Sequence, residues 1–524
     1  MDTRERVIFN SLCNVAGRGF SVLVALFLIP FMLGKLGPEA YAIIPLIMYS
    51  IVPFLEVFTS GVATSVGRYV TLHQARHETD EANRYFNTSF FILLGLCAVA
   101  SVPIVALSYY FPEIFKVKPA WARSSQWTML LAGVGFIITG VSSPFGAGMY
   151  FRQRFDLRSI FFAIGILARA GTIVLLFSVI GANTAYVALG MVVAATIQGV
   201  ANLITGYRML PGLKTSWRFF SREKLRDVSG FSFYLLISRV SLLLFAYTDY
   251  VLIVWLIGKE GVTVYSLGAQ WWRLMRGFAI TAVYALGPLA TTLYATAQHD
   301  RIRSIFLKGS RVMVLLVCPV AVFLCVLAQP FMTAWVGGIE GIGPHAVRQA
   351  VRVLWVLVLP LVINLSVMPA FPMFTAMGRV RTVAFVTLAA AILNIAVSIW
   401  LAVGLGLGIL GIALGSSICL LAKNTAFIPW YVCRICNARL KDFYRIFPRP
   451  VAACVPGVAF AILIQYFTNI TNWPAIILVG MVCMASYFLI VYLWCLTDQE
   501  KAELSEIWSQ FRKMLSRKKG AGGE

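Results

Sequence analysis

Long apolar stretches recur along the whole chain, and they constrain its fold more than any other feature. A helix needs about 20 apolar residues to cross a bilayer core of ~30 Å. Fourteen such stretches occur among the 524 residues, at 9–33, 40–65, 87–111, 124–149, 159–180, 184–206, 231–257, 262–289, 311–335, 350–376, 382–404, 407–430, 451–468 and 473–496. The chain is 60% hydrophobic and 12% charged, which excludes a soluble globular protein. The sequence predicts an all-α polytopic membrane protein with about 14 transmembrane helices.

The basic residues are distributed unevenly over the connections between these stretches. The 44 Lys and Arg outnumber the 21 Asp and Glu, giving a net charge of +23. Cations collect in alternate connections, such as those containing Arg152 to Arg158, Arg208 to Arg226 and Arg434 to Arg449. Because positively charged loops remain on the cytoplasmic side, both termini are predicted to be cytoplasmic. Topology therefore explains most of the positive charge, and nucleic acid is not predicted as a partner.

The second half of the chain repeats motifs of the first half in the same order. Gly34-Lys35-Leu36-Gly37 with Tyr41 matches Gly258-Lys259-Glu260-Gly261 with Tyr265. Six helices per repeat give both halves the same orientation, so a pseudo-twofold axis along the membrane normal should relate them. Two bundles that face each other would leave a central cavity between them.

These patterns divide the chain into five predicted parts. They are an N-terminal six-helix bundle at 1–210, a cytoplasmic linker at 211–230, a C-terminal six-helix bundle at 231–435, two extra helices at 436–497, and an amphipathic basic cytoplasmic tail at 498–524. The linker mixes cations with aromatic residues such as Trp217 and Phe220, as segments at a membrane interface do. Membrane lipids are therefore expected partners of the linker and the tail.

Eight charged residues are predicted at bilayer depth, where each needs a partner or a cavity. They are the basic residues Arg18, Arg169, Arg239, Arg273, Arg276 and Lys423, and the acidic residues Glu56 and Asp249. The two acids can neutralise at most two of the six cations. We therefore expect the unpaired cations to line the cavity, except for Lys423, which lies nearest an interface and is expected to snorkel or to form an ion pair.

Polar residues on the first and eighth predicted helices support this placement. Asn14 and Arg18 belong to one polar stripe, and Gln270 and Arg273 belong to another. Arg276 lies one turn from Arg273, and two guanidinium groups so close together repel each other unless an anion lies between them. Guanidinium groups bind phosphate well because they donate bidentate hydrogen bonds and stay charged. The predicted cavity therefore favours an anionic substrate, such as a lipid phosphate or diphosphate.

The sequence contains no pattern that indicates catalysis. It has no phosphate-binding loop of the Walker type, no nucleophile with a matching base, no nucleotide fingerprint and no cluster of metal ligands. We expect no enzyme activity, no cofactor and no metal site. Glu56 and Asp249 are candidates for coupling to a proton or ion gradient, and a static ion pair would explain either of them equally well.

Several segments resemble one known family. The run from Arg6 to Arg18, the turn from Leu33 to Tyr41, the segment from Gly61 to Tyr69, and the Asp249 helix leading to Gly258 and Tyr265 are similar to polysaccharide-repeat-unit (O-antigen type) flippases. These flippases belong to the multidrug, oligosaccharidyl-lipid and polysaccharide exporter superfamily. The likeness covers roughly residues 1–435.

The resemblance implies a bacterial cytoplasmic (inner) membrane protein that moves an undecaprenyl-diphosphate-linked oligosaccharide across the membrane by alternating access. A polysaccharide polymerase and export machinery would then take the product. Lipid II flippases of the superfamily are similar in having cavity arginines, a role open to Arg18, Arg273 and Arg276.

Two other functions remain open at this point. One is a multidrug or cation antiporter of the same superfamily, although the first helix carries Arg18 where those proteins have a carboxylate. The other is a membrane-embedded glycosyltransferase or polymerase, although the large outside loop usual in such enzymes is missing.

Overall fold

The computed structural model describes residues 3–152, 154–210, 212–284, 286–295, 298–498, 500–502 and 505. Helices and their connections make up all of this described part, which contains no β-strand. The first half of the chain forms eight α-helices, which are α1 (Thr3–Tyr41), α2 (Ile43–Leu46), α3 (Val52–Ala75), α4 (Thr79–Ile114), α5 (Pro119–Ser142), α6 (Ala147–Phe151), α7 (Phe155–Val179) and α8 (Thr184–Met209).

The remaining chain forms fourteen further α-helices. These are α9 (Arg222–Leu256), α10 (Lys259–Tyr284), α11 (Leu286–Ala295), α12 (His299–Val326), α13 (Ala328–Val336), α14 (Pro344–Val358), α15 (Leu361–Ser366), α16 (Ala370–Ala376), α17 (Val380–Ile399), α18 (Ile409–Ala422), α19 (Ile428–Ile435), α20 (Leu440–Tyr444), α21 (Pro448–Phe467) and α22 (Trp473–Ile490). Short 3₁₀ turns at Ser143–Gly146 and Trp217–Phe219, and π-helical turns at Ile47–Ile51, Trp400–Gly404, Lys423–Phe427 and Val491–Cys495, join or extend them.

The prediction of an all-α polytopic membrane protein is confirmed, whereas the count of fourteen spans is not. Within the described residues, eleven helices are long and apolar enough to cross a membrane, and a pair bent by 58°, Ile43–Val57 with Thr59–Gln74, makes a twelfth. The predicted spans 231–257 and 262–289 fall on α9 and α10. Both are long helices, and within the described residues α9 contains a shorter apolar segment at Leu243–Leu256.

The two turns matched in the sequence repeat meet each other in the structure. Gly37 breaks the helical path of α1 at φ +76°, and Gly258 separates α9 from α10 at φ +121°, a backbone region that favours glycine. The Thr263 hydroxyl donates a hydrogen bond of 2.5 Å to the Pro38 carbonyl. The halves are therefore in contact at this end of the molecule. It is called the Glu39 end below, because Glu39 follows Pro38 in the first of the two turns.

Helices α1 and α3 of the first half pack against α10 and α9 of the second half, respectively. This interface places residues of α1 opposite residues of α10. Within the second half, α17 and α18 approach closely because Gly415 has no side chain: a Cβ atom there would lie 2.2 Å from Ser398 Oγ.

The last two long helices, α21 and α22, pack on α12 of the second half. The Tyr487 hydroxyl donates to the Leu315 carbonyl at 3.0 Å, and Gln465 Nε2 donates to Val326 at 3.3 Å. The five-part division and the pseudo-twofold axis stay predictions.

Candidate functional site

A cavity of about 200 Å³ lies between the two halves. Its lining residues come from α1, the π-helical turn Ile47–Ile51 and α10, and they are Arg18, Ser21, Val22, Tyr49, Gln270, Arg273, Leu274, Gly277 and Phe278. Two of these side chains are cationic and none is acidic. The sequence prediction that Arg18, Gln270 and Arg273 approach one another therefore agrees with this geometry.

Arg273 is held by neutral groups from both halves. Its guanidinium carbon lies 3.8 Å from the centroid of the Tyr49 ring, which is a cation–π contact with the first half. Its nitrogens donate to Gln270 Oε1 at 2.7 Å, to the Ser266 carbonyl at 3.2 Å and to the Tyr250 hydroxyl. Among the described residues no carboxylate bonds to Arg273, so its positive charge remains available to an anion.

Arg18 reaches the same cavity from α1. A Cβ atom built on Gly277 would lie 3.3 Å from Arg18 Nη1, so the missing side chain at Gly277 leaves room for the guanidinium group. The Arg18 side chain is exposed, unlike the mostly enclosed Arg273 side chain. The two arginines thus come from opposite halves and border one space.

A second, smaller cavity lies inside the second half of the chain. Its volume is about 30 Å³, and it is bordered by residues that include Asp249, Tyr265, Arg273 and Ser416. The buried Asp249 carboxylate accepts hydrogen bonds from the Tyr265 hydroxyl and from Ser416 Oγ, the latter at 2.9 Å. In the part of the chain that the structure describes, no cation pairs with Asp249. The static ion pair proposed as one role for Asp249 is therefore absent from this state.

The two cavities share Arg273 as a lining residue. Tyr250, whose hydroxyl accepts from Arg273, packs edge-on against Tyr265 at a centroid distance of 5.3 Å. Tyr265 in turn donates to Asp249. Arg273 and the buried carboxylate are therefore connected by two tyrosines.

Two other predicted cations, Arg169 and Arg276, do not line either cavity. Arg169 is half-buried on α7, its buried Nε has no hydrogen-bond partner among the described residues, and its electrostatic neighbours are Tyr41 and Tyr49. The guanidinium carbon of Arg276 lies 5.2 Å from the centroid of the Trp272 ring. The expectation that an anion separates Arg273 from Arg276 stays a prediction.

The four remaining residues singled out in the sequence have different outcomes. The side chains of Asn14 and Arg239 lie outside the described residues. Glu56 is exposed on α3 and lines neither cavity. Lys423 was expected to snorkel or pair near an interface, which is wrong: its side chain is only 8% exposed, and its ammonium group lies 5.9 Å from the centroid of the Phe245 ring. The π-helical turn that begins at Lys423 directs this side chain inward.

The sequence prediction missed the groups that hold Arg273 and Asp249. Tyr49, Tyr250 and Ser416 lie in apolar runs, where a single aromatic or hydroxyl residue resembles ordinary core. The repeat match of Tyr265 with Tyr41 does not indicate that its hydroxyl donates to a carboxylate. No group of three or more His, Cys, Asp or Glu side chains in the described ranges is arranged to hold a metal.

Comparison with known proteins gives consistent matches. Residues 36–338 match the family model described as polysaccharide biosynthesis protein. The uncharacterized membrane protein EpsK of Bacillus subtilis (strain 168) is 24% identical over 493 residues, with 94% of this chain and 96% of that protein covered. The putative O-antigen transporter of Shigella flexneri is 21% identical over 433 residues, with 82% and 99% covered.

A solved structure shows the same fold. The lipid II flippase MurJ in its inward closed conformation superposes with a TM-score of 0.68 at 14% identity, covering 93% of this chain and 98% of that one. The resemblance to the multidrug, oligosaccharidyl-lipid and polysaccharide exporter superfamily is confirmed. The chain is a multi-pass membrane protein that belongs to the polysaccharide biosynthesis protein family.

Proposed function

We propose that this protein moves an undecaprenyl-diphosphate-linked oligosaccharide across the bacterial cytoplasmic membrane by alternating access. The observation that carries the proposal is the cavity between the halves, to which Arg18 and Arg273 contribute two cations and no lining residue contributes an acid. Two guanidinium groups from opposite sides suit a diphosphate, because each donates paired hydrogen bonds to phosphate oxygens. Membership of the polysaccharide biosynthesis family supports the sugar part of the substrate.

The size of the cavity indicates which part of the substrate it receives. Pockets for whole small ligands measure about 300–1,000 Å³, whereas this cavity measures about 200 Å³. It suits the charged diphosphate rather than the attached oligosaccharide. The halves must therefore separate on one side before the substrate enters, and in this proposal they separate at the end opposite the Glu39 end, which is then the entrance.

Orientation follows from the charge distribution. With both termini in the cytoplasm, the Glu39 end faces the periplasm, and the entrance faces the cytoplasm. Lipid-linked sugars made on the cytoplasmic side would enter there, and a polymerase with its export machinery would use the product outside. Asp249 is the better candidate for coupling to a proton or ion gradient, because it is buried beside a residue of the binding cavity, whereas Glu56 is not.

The test uses the full-length protein in vesicles that contain a fluorescent lipid-diphosphate oligosaccharide. Transbilayer movement is read from the fraction of label reached by a membrane-impermeant quencher. We expect Arg18→Gln/Arg273→Gln to slow movement at least tenfold, because hydrogen bonds to charged groups contribute about 1.5–3 kcal/mol each. The exposed Arg348→Gln is the matched control. Wild-type movement in the double variant would refute the proposal.

A cation antiporter of the same superfamily is the second candidate. A cavity with two arginines and no acid repels organic cations, so the geometry disfavours this function. The same vesicles, loaded with a cationic dye, discriminate the two: gradient-dependent dye accumulation that survives Arg18→Gln/Arg273→Gln would support the antiporter. A glycosyltransferase or polymerase would instead convert the lipid-linked sugar chemically, which mass spectrometry of the recovered lipid detects.

A further inference from the structure

The connection between the two halves is fixed along one helix of the first half. After a turn at Gly212, residues 213–216 form no regular secondary structure and lie beside the N-terminal part of α4, where Asn83 and Asn87 lie one helical turn apart. Asn83 accepts from the Lys214 amide and donates to the Gly212 carbonyl, both at 2.9 Å. Asn87 accepts from the Ser216 amide at 2.8 Å and donates to the Lys214 carbonyl at 2.7 Å. The backbone groups of this segment are thus hydrogen-bonded by two side-chain amides of α4.

The clamp continues into the start of α9. The Ser221 amide donates to Thr88 Oγ1 at 3.0 Å, Lys224 pairs with Glu81 at 3.0 Å, and the Tyr85 hydroxyl donates to Asp227 at 3.0 Å. Asn83, Asn87 and Thr88 are almost fully buried, so their polar groups depend on these bonds. We call residues 212–222 the strap; these bonds attach it to the first half.

The strap presents an aromatic pair at one depth of the membrane. Trp217 stacks on Phe220 at 4.9 Å between ring centroids and lies edge-on to Phe91 at 4.5 Å. The helix α4 has 36 residues and is ~54 Å long, so it extends beyond a hydrocarbon core of ~30 Å. Asn83 lies near its beginning, and Phe91 lies two turns further in. The strap therefore descends along the projecting part of α4 and brings Trp217, which is 64% exposed, to the membrane boundary.

Cations surround this aromatic pair. Lys214, Arg218 and Arg222 on the strap are exposed, as is Arg208 just before it. No ion pair of these four cations occurs in the described part of the chain, while the exposed Glu223 is already near Lys224 at 3.5 Å. A rigid aromatic anchor with exposed cations beside it matches the charge and depth of anionic phospholipid headgroups.

We propose that the strap is a binding surface for anionic phospholipids of the adjoining leaflet. Trp217 and Phe220 enter the headgroup boundary, and Lys214, Arg218 and Arg222 contact lipid phosphates. Because the strap is clamped to α4, lipid bound there is anchored to the first half, next to the start of α9. This surface lies apart from the cavity of Arg18 and Arg273, so it does not depend on which substrate that cavity takes.

The test compares lipid selectivity of the full-length protein in vesicles of mixed phosphatidylglycerol and phosphatidylcholine. Spin-labelled versions of both lipids report the fraction immobilised at the protein surface. We expect Lys214→Gln/Arg218→Gln/Arg222→Gln to lower the preference for phosphatidylglycerol by about two-fold or more at low salt, because each cation near an anionic surface contributes favourably. The control Lys35→Gln/Lys116→Gln/Arg348→Gln removes three exposed cations elsewhere and should keep the preference.

A second measurement locates the lipid. Brominated phosphatidylglycerol should quench Trp217 more than brominated phosphatidylcholine does, with the Trp217 signal taken as the difference between wild type and Trp217→Phe. The proposal is overturned if the strap variant retains the wild-type preference, if the control loses as much, or if the two brominated lipids quench Trp217 equally. Equal quenching would indicate contact with lipid without a preference for anionic headgroups.

Discussion

The Tyr49 ring and the Arg273 guanidinium group face each other across the interface between the two halves, with 3.8 Å between the ring centroid and the guanidinium carbon. Tyr49 belongs to the first half and Arg273 to the second. The contact therefore holds a cation in the cavity without neutralising it, because an aromatic face attracts positive charge and carries none. It also has to change whenever the halves separate.

Removing this ring should weaken anion binding while leaving the arginine in place. A desolvated cation–π contact contributes about 2 kcal/mol, so Tyr49→Ala should raise the Kd for a lipid-diphosphate oligosaccharide by about 30-fold. Tyr49→Phe keeps the ring and loses only a long contact of 3.5 Å between the hydroxyl and Gln270. Equilibrium binding to the purified protein measures both variants, and equal affinities of Ala and Phe variants would contradict the assigned role of the ring.

Filling the space beside Arg18 should displace its guanidinium group. The Cβ of a residue at Gly277 would lie 3.3 Å from Arg18 Nη1, and the larger side chain of Gly277→Val would occupy the place of that group. We expect transport in vesicles to slow at least tenfold with normal membrane insertion. Gly95→Val is the control, since nothing lies within 4 Å of a Cβ there. A fast Gly277→Val variant would show that Arg18 is dispensable.

Replacing Asp249 tests its role in coupling. Asp249→Asn keeps the shape of the side chain but removes its charge and its ability to release a proton. We expect an imposed proton or sodium gradient to stimulate transport by the wild type and to have no effect on this variant, while substrate affinity persists. Tyr265→Phe loses one hydrogen bond to the carboxylate, and the gradient should stimulate transport by this variant less than transport by the wild type. Undiminished stimulation of Asp249→Asn would assign coupling to another group.

Contact at the Glu39 end depends on one carboxylate with two lysines. Glu39 accepts from Lys118 at 2.6 Å and lies 3.7 Å from Lys259 across the halves. Glu39→Gln should open this end, so the Lys259 ammonium group, whose side chain is 10% exposed, becomes more reactive toward an impermeant amine reagent. Peptide mass spectrometry measures the labelling, with the exposed Lys35 as the internal control. Unchanged labelling of Lys259 would show that Glu39 does not hold this end closed.

The same contact predicts a direction for pH dependence. The hydrogen bond to Glu39 raises the pKa of Lys118 above its usual 10.5, because the carboxylate favours the charged ammonium. A raised pKa means that the stabilisation is complete below the ordinary value and is lost as the pH rises through the raised one. Because an amine reagent attacks only the deprotonated amine, the useful quantity is the labelling of Lys259 relative to that of the exposed Lys35. This ratio should stay constant from about pH 7 to 9 and increase only in more alkaline solution.

Tight helix packing in the second half should be intolerant of added volume. A Cβ atom at Gly415 would lie 2.2 Å from Ser398 Oγ and 2.7 Å from Ser398 Cα, so helix α18 must shift away from α17. Overpacking of this kind costs about 1–3 kcal/mol. Gly415→Val should lower the thermal unfolding temperature of the purified protein clearly more than Gly171→Val, which meets nothing within 4 Å. Equal shifts would contradict the packing argument.

Hydrophobicity predicted the helices well because lipid leaves a chain few alternatives. Membrane spans must satisfy their backbone hydrogen bonds internally, so apolar runs of the required length become helices. The count of fourteen is not confirmed at α9 and α10, which carry Asp249 and Arg273. Charged residues lower the mean hydropathy of a helix, so a criterion of length and composition counts such helices less readily.

The cations of the site were predictable, whereas their contacts were not. A charge at bilayer depth stands out in any sequence, and on this basis Arg18 and Arg273 were assigned to one cavity. Tyr49 and Tyr250 have no such signal, because an isolated aromatic residue in an apolar run looks like core. Lys423 shows the opposite error, since its distance from the helix end suggested an interface, and the π-helical turn directed it inward.

Arg273 borders both cavities, so binding in one cavity is expected to affect binding in the other. An anion that draws the guanidinium group toward the interface loosens its bond to Tyr250, which packs on the tyrosine that holds Asp249. If the bound anion changes the affinity of Asp249 for a proton or ion by some factor, then binding of that proton or ion must change the affinity for the anion by the same factor. Under the proposed function, the anion and the driving ion would both act on Arg273, so a mutation that changes the affinity for one should change the affinity for the other.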